Sequence, residues 1–414
     1  MMLPIKHAAN FLNGAAFKPS DWGNDGLPIL RIAQLTGKPF DNFFDGTINR
    51  GLIIRDGDLL FSWSATIDAF IWDRGTAILN QHIFKVLPKK NVIKKYLYYV
   101  IKAHAPRWAD DDAHGSTMRH IKKESLSNKV WIPDLETQIS IANFLDREVT
   151  RIDQLIQKKQ RQLDFFPEKE KSEISRLVLR GANANADMTP SGFSWRGDVP
   201  GHWTESRLKA HFKVRKRQGY EDRTVLSVYR EFGVIEKSSR NDNINKTPED
   251  LSKYQLVQPG NLVINKMKAW QGSLGISKFD GITSPDYVVM VNISEHDHEY
   301  MHHLLRARPM PMVYHLISNG IRIDQWRMEP EKFLSLPVFL PPLHEQRQIA
   351  ASVNRVLGTL RGVSEAVSRS IERLREFRAA LITAAVTGQI DVATWHQRDE
   401  TDRRLEKIEE AMRA

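Results

Sequence analysis

Four histidines fall within eight residues, His296, His298, His302 and His303. Imidazoles spaced by four share a helix face, where they can ligate a metal. They lie beside Glu295, Asp297 and Glu299 at what reads as a helix start. In that setting the same side chains read as a solvated face, and no metal site is assigned. Asp110-Asp111-Asp112 poses a similar choice, and reads as a solvated acidic loop rather than a magnesium site. Other chemistries are missing at the motif level. No position fits Asp/Glu-x-Lys, the usual core of magnesium nucleases. No two glycines are spaced Gly-x-Gly, so neither a dinucleotide fingerprint nor a glycine-rich cofactor loop is present. Gly37-Lys38 lacks the upstream glycine of a P-loop. Pro341-Pro342 is followed by Leu343 rather than by the aromatic residue of amino-methyltransferases. Without cysteine there is no thiol nucleophile, thiolate metal site or disulfide. No catalytic residue and no cofactor are expected.

Polar and cationic residues that could bind a polyanion need elements to hold them. The chain has 414 residues, enough for two or three domains, and a net charge of +10. That excess is +5 over residues 1–135 and +4 over 190–340, while the segments between are near neutral. A bias confined to two matching segments favours two polyanion-binding lobes. The first residues lack the apolar core of a signal peptide and no run approaches a membrane span, so a soluble cytoplasmic protein is expected.

Two stretches organise the rest. Ile132-Pro133-Asp134-Leu135-Glu136-Thr137-Gln138 and Leu340-Pro341-Pro342-Leu343-His344-Glu345-Gln346 are proline-led hinges that run into long helical patterns. Ala142, Leu145, Val149, Ile152, Ile156, Leu163 and Phe166 step by three and four, with Lys159 in the skipped position. Ile349, Val353, Val356, Leu360, Val363, Val367, Leu374, Phe377 and Leu381 do the same, with Ser370 skipped. Such alternation is a coiled-coil seam, and one polar seam residue in each is a register device. Pro167 is expected to break the first helix after Phe166. The lobes repeat as well. Gly57-Asp58-Leu59-Leu60-Phe61 matches Gly260-Asn261-Leu262-Val263-Ile264, and Ile5-Lys6 matches Leu208-Lys209. A glycine, Gly115 or Gly320, precedes the closing strand of each. The expected fold is α+β, a pseudo-two-fold monomer with two mixed lobes separated by two long antiparallel coiled-coil helices. The expected boundaries are a first lobe over 1–131, hinge and helix over 132–181 and a linker over 182–202. A second lobe over 203–340, hinge and helix over 341–390 and a solvated charged tail over 391–414 follow. Ile93–His104 reads as a helix. Ile139, Ile141, Phe144 and Leu155, with Ile371, Ile382 and the alanines near it, flank the seams. An apolar flank of this kind predicts a partner-binding face.

These residues resemble the specificity subunits of type I restriction–modification enzymes over nearly the whole chain. Ser191-Gly192-Phe193-Ser194-Trp195 through Trp203 resembles the lead-in to a recognition domain. Asn265–Gly272 with Gly281–Tyr287 resembles its body, and Pro341–Gln346 the start of the distal helix. Leu79-Asn80-Gln81-His82 and Gly115-Ser116-Thr117 are similar to another class of these domains. The first hinge departs from the pattern at Asp134 and Thr137. The resemblance implies a non-catalytic subunit whose two target recognition domains each contact half of a split double-stranded DNA target. Helices would serve as the ruler between the halves. Two methyltransferase subunits would dock on them and supply the S-adenosylmethionine chemistry, and restriction/translocase subunits would join. The expected DNA contacts are Lys18, Arg31, Arg50, Ser62, Trp63, Gln81, His82 and Arg119 in the first lobe. Arg215, Arg217, Arg230, Lys266, Lys268, Arg322, Gln325 and Arg327 are those of the second. Two rival readings stay open: a scaffold that never touches DNA, and an enzyme whose active site carries no familiar motif.

Overall fold

The computed structural model describes residues 1–113, 119–240, 247–320 and 326–413. It divides into two units, Met1–Leu163 with Glu365–Ala414, and Asp164–Ser364. Each contains one lobe and a portion of both long helices.

The first lobe is built on strands β1 (Ala9–Asn13), β2 (Leu27–Leu30), β3 (Leu59–Ser62), β4 (Asp68–Ile71), β5 (Ala77–Leu79) and β6 (Ile83–Pro88). Its main sheet is antiparallel in the order β1-β6-β3-β4. Side chains alternate across a strand, and β3 shows what that does here. Leu59 and Phe61 enter the core shared with the helices, while Leu60 enters a second core with Leu30, Ile54, Trp72 and Leu79. Buried on both faces, the strand reads as an unbroken apolar run.

The second lobe repeats this with β7 (Phe212–Val214), β8 (Leu262–Asn265), β9 (Leu274–Ile276) and β10 (Tyr287–Asn292), in the order β7-β10-β8-β9. Leu262 and Ile264 point into the core shared with the helices, and Val263 into a separate one with Val228, Val257 and Val289. The turn ahead of β3 and β8 is the same to the atom. Gly57 and Gly260 have φ of 85° and 86°, a left-handed conformation that favours glycine. Asp58 accepts from the amide of Arg55 at 2.8 Å, and Asn261 from that of Gln258 at 3.0 Å.

A central helix (Leu135–Arg180) and a distal helix (Leu343–Val386) follow the lobes. In the first unit Ile141, Ala142, Phe144, Leu145 and Ile152 of the central helix pack with Leu374, Leu381, Ile382, Ala385 and Val386 of the distal one. The Tyr96 hydroxyl donates to the carbonyls of Trp131 and Val386, tying the start of one helix to the end of the other. In the second unit the end of the central helix, Leu177 and Val178, packs with Ile349, Ala350 and Val353 at the distal start. The pairing is therefore antiparallel.

Each hinge glutamine is buried and performs one task. Gln138 accepts from the Ile93 amide at 2.8 Å and donates to the carbonyls of Asn91 and Pro133. Gln346 accepts from the Asp297 amide at 2.9 Å and donates to Pro341. Ile93 and Asp297 precede helices α1 (Lys94–Asp112) and α2 (His298–Leu304). The departures in the first hinge have a local role: Asp134 caps the central helix, accepting from the amide and hydroxyl of Thr137 at 2.9 and 2.8 Å.

Several expectations are corrected. The central helix continues through Pro167, and α1 runs through Pro106 to Asp112 rather than ending at His104. A proline inside a helix costs about 3 kcal/mol through a lost hydrogen bond and a ring clash, which at Pro106 the buried Ala105, Trp108 and Ala109 offset. Asp110–Asp112 form the last turn of α1, not a loop; Asp112 accepts from the Lys122 amide and Ser125 hydroxyl. The stretch 182–202 includes a hairpin, Met188–Pro190 with Asp198–Pro200. Val363, placed in the seam by its spacing, is exposed. The tail is solvated on one face only. Its helix (Glu400–Arg413) buries Leu405 and Thr401, and Glu409 pairs with the buried Lys159 at 2.6 Å. Lys159 thus sets the seat of a third helix.

Candidate nucleic-acid interface

β3 and β8 deliver equivalent residues to the same corner of their sheets. Leu59 faces Val86 as Leu262 faces Met290, and Phe11 faces Val86 as Val214 faces Met290. Counting along from these pairs, Trp63 is equivalent to Lys266 and Asn13 to Lys216. A later segment of the chain closes both corners alike: the Ile121 amide donates to the Trp63 carbonyl at 2.8 Å, and that of Met328 to Lys266 at 3.0 Å.

The side chains differ. In the first lobe the indole N–H of Trp63 donates to Asn13 Oδ1 at 3.3 Å, and its ring lies 5.2 Å from that of His82. Gln81 reaches the His82 ring at 3.4 Å. In the second, Lys266 donates to the Pro285 carbonyl at 3.2 Å. Burial pushes its ammonium below the usual lysine range, and the charges of Arg327 and Lys216 push the same way against Asp286. One corner is aromatic, and the other gathers Lys216, Lys266 and Arg327 with Asp286.

The remaining expected contacts scatter around these corners. Lys18, Arg50, Arg215, Arg230 and Lys268 are exposed. Arg119 pairs with Asp110, and Arg217 donates to Gln258. Arg31 pairs with Asp41 and shares a groove with His82. Ser62 is a correction: it is fully buried and its hydroxyl donates to the Ser64 carbonyl. As the inward residue of β3, it has no surface to offer. Arg322 and Gln325 lie outside the described residues, as do Gly115-Ser116-Thr117. The sequence reading missed Asn13 and Lys216; period-two counting from the β1–β6 and β7–β10 registers would have found both.

The residues expected to bind partners also divide. Ile139 is exposed and Leu155 is half-buried against the first unit's core. Phe144, Ile371 and Ile382 are 5%, 2% and 4% exposed. They are corrected to buried positions; Phe144 and Ile382 lie in the core that lobe, both long helices and tail share, a wider face than a two-helix seam. Three of the four histidines are corrected too, while His298 is exposed. His296 is 7% exposed, and burial lowers His296 and His303 to about 4 and His302 to about 3. Gly233 and Gly275 make the room: a Cβ on either would come within 2.7 or 2.9 Å of the His302 ring. Among the described residues no group of three or more His, Asp and Glu could hold a metal, and no helix is long and apolar enough to cross a membrane.

Comparison with known proteins was made on sequence and on fold. Residues 6–164 match the family model of the type I restriction modification DNA specificity domain. The type I restriction enzyme EcoBI specificity subunit of Escherichia coli is 18% identical, over 95% of this chain and 87% of its own. A chain from a study of complex assembly and conformational transition of the type I R-M system superposes with a TM-score of 0.60 at 14% identity. It covers 94% of this chain and 98% of its own. The HsdS subunit from Thermoanaerobacter tengcongensis gives 0.50 at 14% identity, covering 94% and 97%.

Proposed function

The chain belongs to the specificity subunits of type I restriction–modification systems, and from that premise we propose how its two lobes divide the reading of DNA. Each lobe contacts one half of a split, asymmetric duplex target, and the corner of its four-stranded sheet lies at the contact. The observation that carries this reading is the duplicated corner itself. One backbone frame holds Asn13, Trp63 and His82 in one lobe and Lys216, Lys266 and Asp286 in the other, with Arg327 beside the second set. A frame kept while its side chains diverge suits two domains reading unlike sequences. Lys216, Lys266 and Arg327 form a cationic patch suited to phosphates, and Trp63, Gln81 and His82 offer a stacking surface and amide donors to bases.

Lys18, Arg50, Arg215, Arg230 and Lys268, exposed around the lobes, add phosphate contacts. The chain itself is non-catalytic and acts in the cytoplasm. Two methyltransferase subunits bind the outer faces of the long helices, where Ile139 is exposed, and restriction/translocase subunits join them. Methylome sequencing of cells with and without the chain tests the reading. One bipartite modified sequence should vanish with the chain. An unchanged methylome would overturn the proposal.

A further inference from the structure

The second lobe carries a two-stranded hairpin, Leu226–Tyr229 with Gly233–Glu236, closed by Arg230, Glu231 and Phe232. A three-residue closure with a left-handed glycine is a common hairpin form, and Gly233 has a φ of 76°. Val228 and Val234 enter the core of Val257, Val263 and Val289, which seats the hairpin on the lobe. The tip is fixed as well. Arg306, just past α2, donates from Nη2 to the Arg230 carbonyl at 2.7 Å and from Nη1 to the Leu274 carbonyl at 2.6 Å. Gly233 lies against the His302 ring, where a Cβ would come within 2.7 Å. The Arg240 guanidinium sits over the rings of both Tyr229 and Phe232, 5.1 and 5.2 Å from their centroids. Even so Phe232 is 54% exposed, and Arg230 and Glu231 are exposed beside it. The charge of Glu231 is set against that of Arg306.

The place of this tip in the lobe gives it a role. Leu274 pairs with Ile264 and Ile264 with Val288, and Lys216 falls opposite Val288 by counting on from Val214 and Met290. Through Leu274 and Arg306 the tip is therefore tied to the same end of the sheet as Lys216 and Lys266. A two-stranded ribbon is one of the two elements that the major groove of DNA admits. The apolar feature that marks a base edge in that groove is the 5-methyl group of thymine, and a phenylalanine ring is among the side chains that match it. We propose that the hairpin enters the major groove of the half-site contacted by the second lobe, where Phe232 packs on a thymine methyl and determines specificity at that base pair. The proposal rests on the DNA-reading function proposed above. Arg240 holds the ring in place from one side, and Arg230 meets the adjoining phosphate.

The test uses the full chain assembled with its modification subunits, and duplexes carrying the target defined by the wild-type methylome. Each thymine of the second lobe's half, the half that changes when residues 203–340 are exchanged, is replaced in turn by deoxyuridine, which removes only the methyl. One such replacement should weaken binding of the wild-type complex about 4-fold. Phe232→Ala should bind the thymine and deoxyuridine duplexes equally, and Phe232→Leu should keep part of the preference. Replacements in the other half should affect all three proteins alike. Arg230→Gln should weaken binding to every duplex and leave the methyl preference intact. A wild-type complex indifferent to every replacement in that half, or a half-site with no thymine, overturns the proposal. So does a Phe232→Ala protein that loses affinity for all duplexes but keeps the preference, since that is the behaviour of a wedge between base pairs or of a folding defect. A wild-type complex that modifies no defined sequence would defeat the underlying reading, and the proposal with it, before any variant is compared.

Discussion

The two lobes share a turn, a sheet order and a hinge glutamine, yet differ where the sheet meets its corner. Gly57-Asp58 and Gly260-Asn261 make the same backbone hydrogen bonds: the glycine amides donate to Trp72 and Ser277 at 2.7 and 2.8 Å. Six residues on, one strand ends in Trp63 and the other in Lys266. What is kept is what backbone geometry demands. What varies is what a surface can exchange without cost to the frame. The comparison separates residues that hold a lobe together from residues that distinguish its target.

The largest difference between the lobes should be acid sensitivity. Burial holds His296 and His303 at about 4 and His302 at about 3, against about 6.5 when unfolded. These imidazoles are neutral in the folded lobe, so their contribution is complete above pH 6.5. It is lost as pH falls toward 4, because only the unfolded chain takes up protons there. Each forfeits about 1.4 kcal/mol per pH unit below 6.5, so α2 should open first on acidification. Hydrogen exchange at pH 7.5 and 5.5 checks this, and equal loss of protection in α1 would break the contrast.

Next come the hinges. Gln138→Leu strands the Ile93 amide and two carbonyls, and Gln346→Leu strands the Asp297 amide and one carbonyl. Each unsatisfied buried group costs about 1–3 kcal/mol, so both substitutions should lower the urea midpoint, Gln138→Leu by more. The glycines sharpen the point. Gly57→Ala meets open space, and only its positive φ costs, about 1–2 kcal/mol. Gly260→Ala meets the His298 ring at 2.6 Å, but that ring is exposed and can turn aside, so the two substitutions should cost about the same 1–2 kcal/mol. Thermal melts of the two proteins should fall by similar amounts, and a much larger drop for Gly260→Ala would show that the His298 ring is held in place.

The smallest effect is electrostatic. Removing Lys216, Lys266 or Arg327 should reduce the slope of log K against log salt for duplex DNA by up to about 0.9 each. Asn13→Ala and Trp63→Ala should weaken binding with the slope unchanged. A slope change from the first-lobe variants would erase the distinction between the corners.

The sequence was informative wherever a residue's role is local. The matched Gly57–Phe61 and Gly260–Ile264 segments, the paired proline-led hinges and the three-four seams leave a signature. Those signals were enough for the duplication, the antiparallel helices and the strand that ends at Trp63 and Lys266. Roles conferred by a distant partner were hidden. Lys159 looked like a register device until Glu409 of the tail was found beside it. His302 looked solvated because nothing near it in the chain announces the space left by Gly233 and Gly275. Phe144 and Ile382 looked outward because a seam was counted from two helices, while lobe and tail enclose a third side. Asp41, which fixes Arg31, is ten residues away and carries no motif.

The central claim is that each lobe reads its own half of the target. Exchanging residues 203–340 for the equivalent lobe of a relative with a different target, and sequencing the methylome, tests it most directly. The account predicts that one half of the modified sequence changes while the other half and the spacer stay as they were. A change in both halves, or in neither, would contradict it.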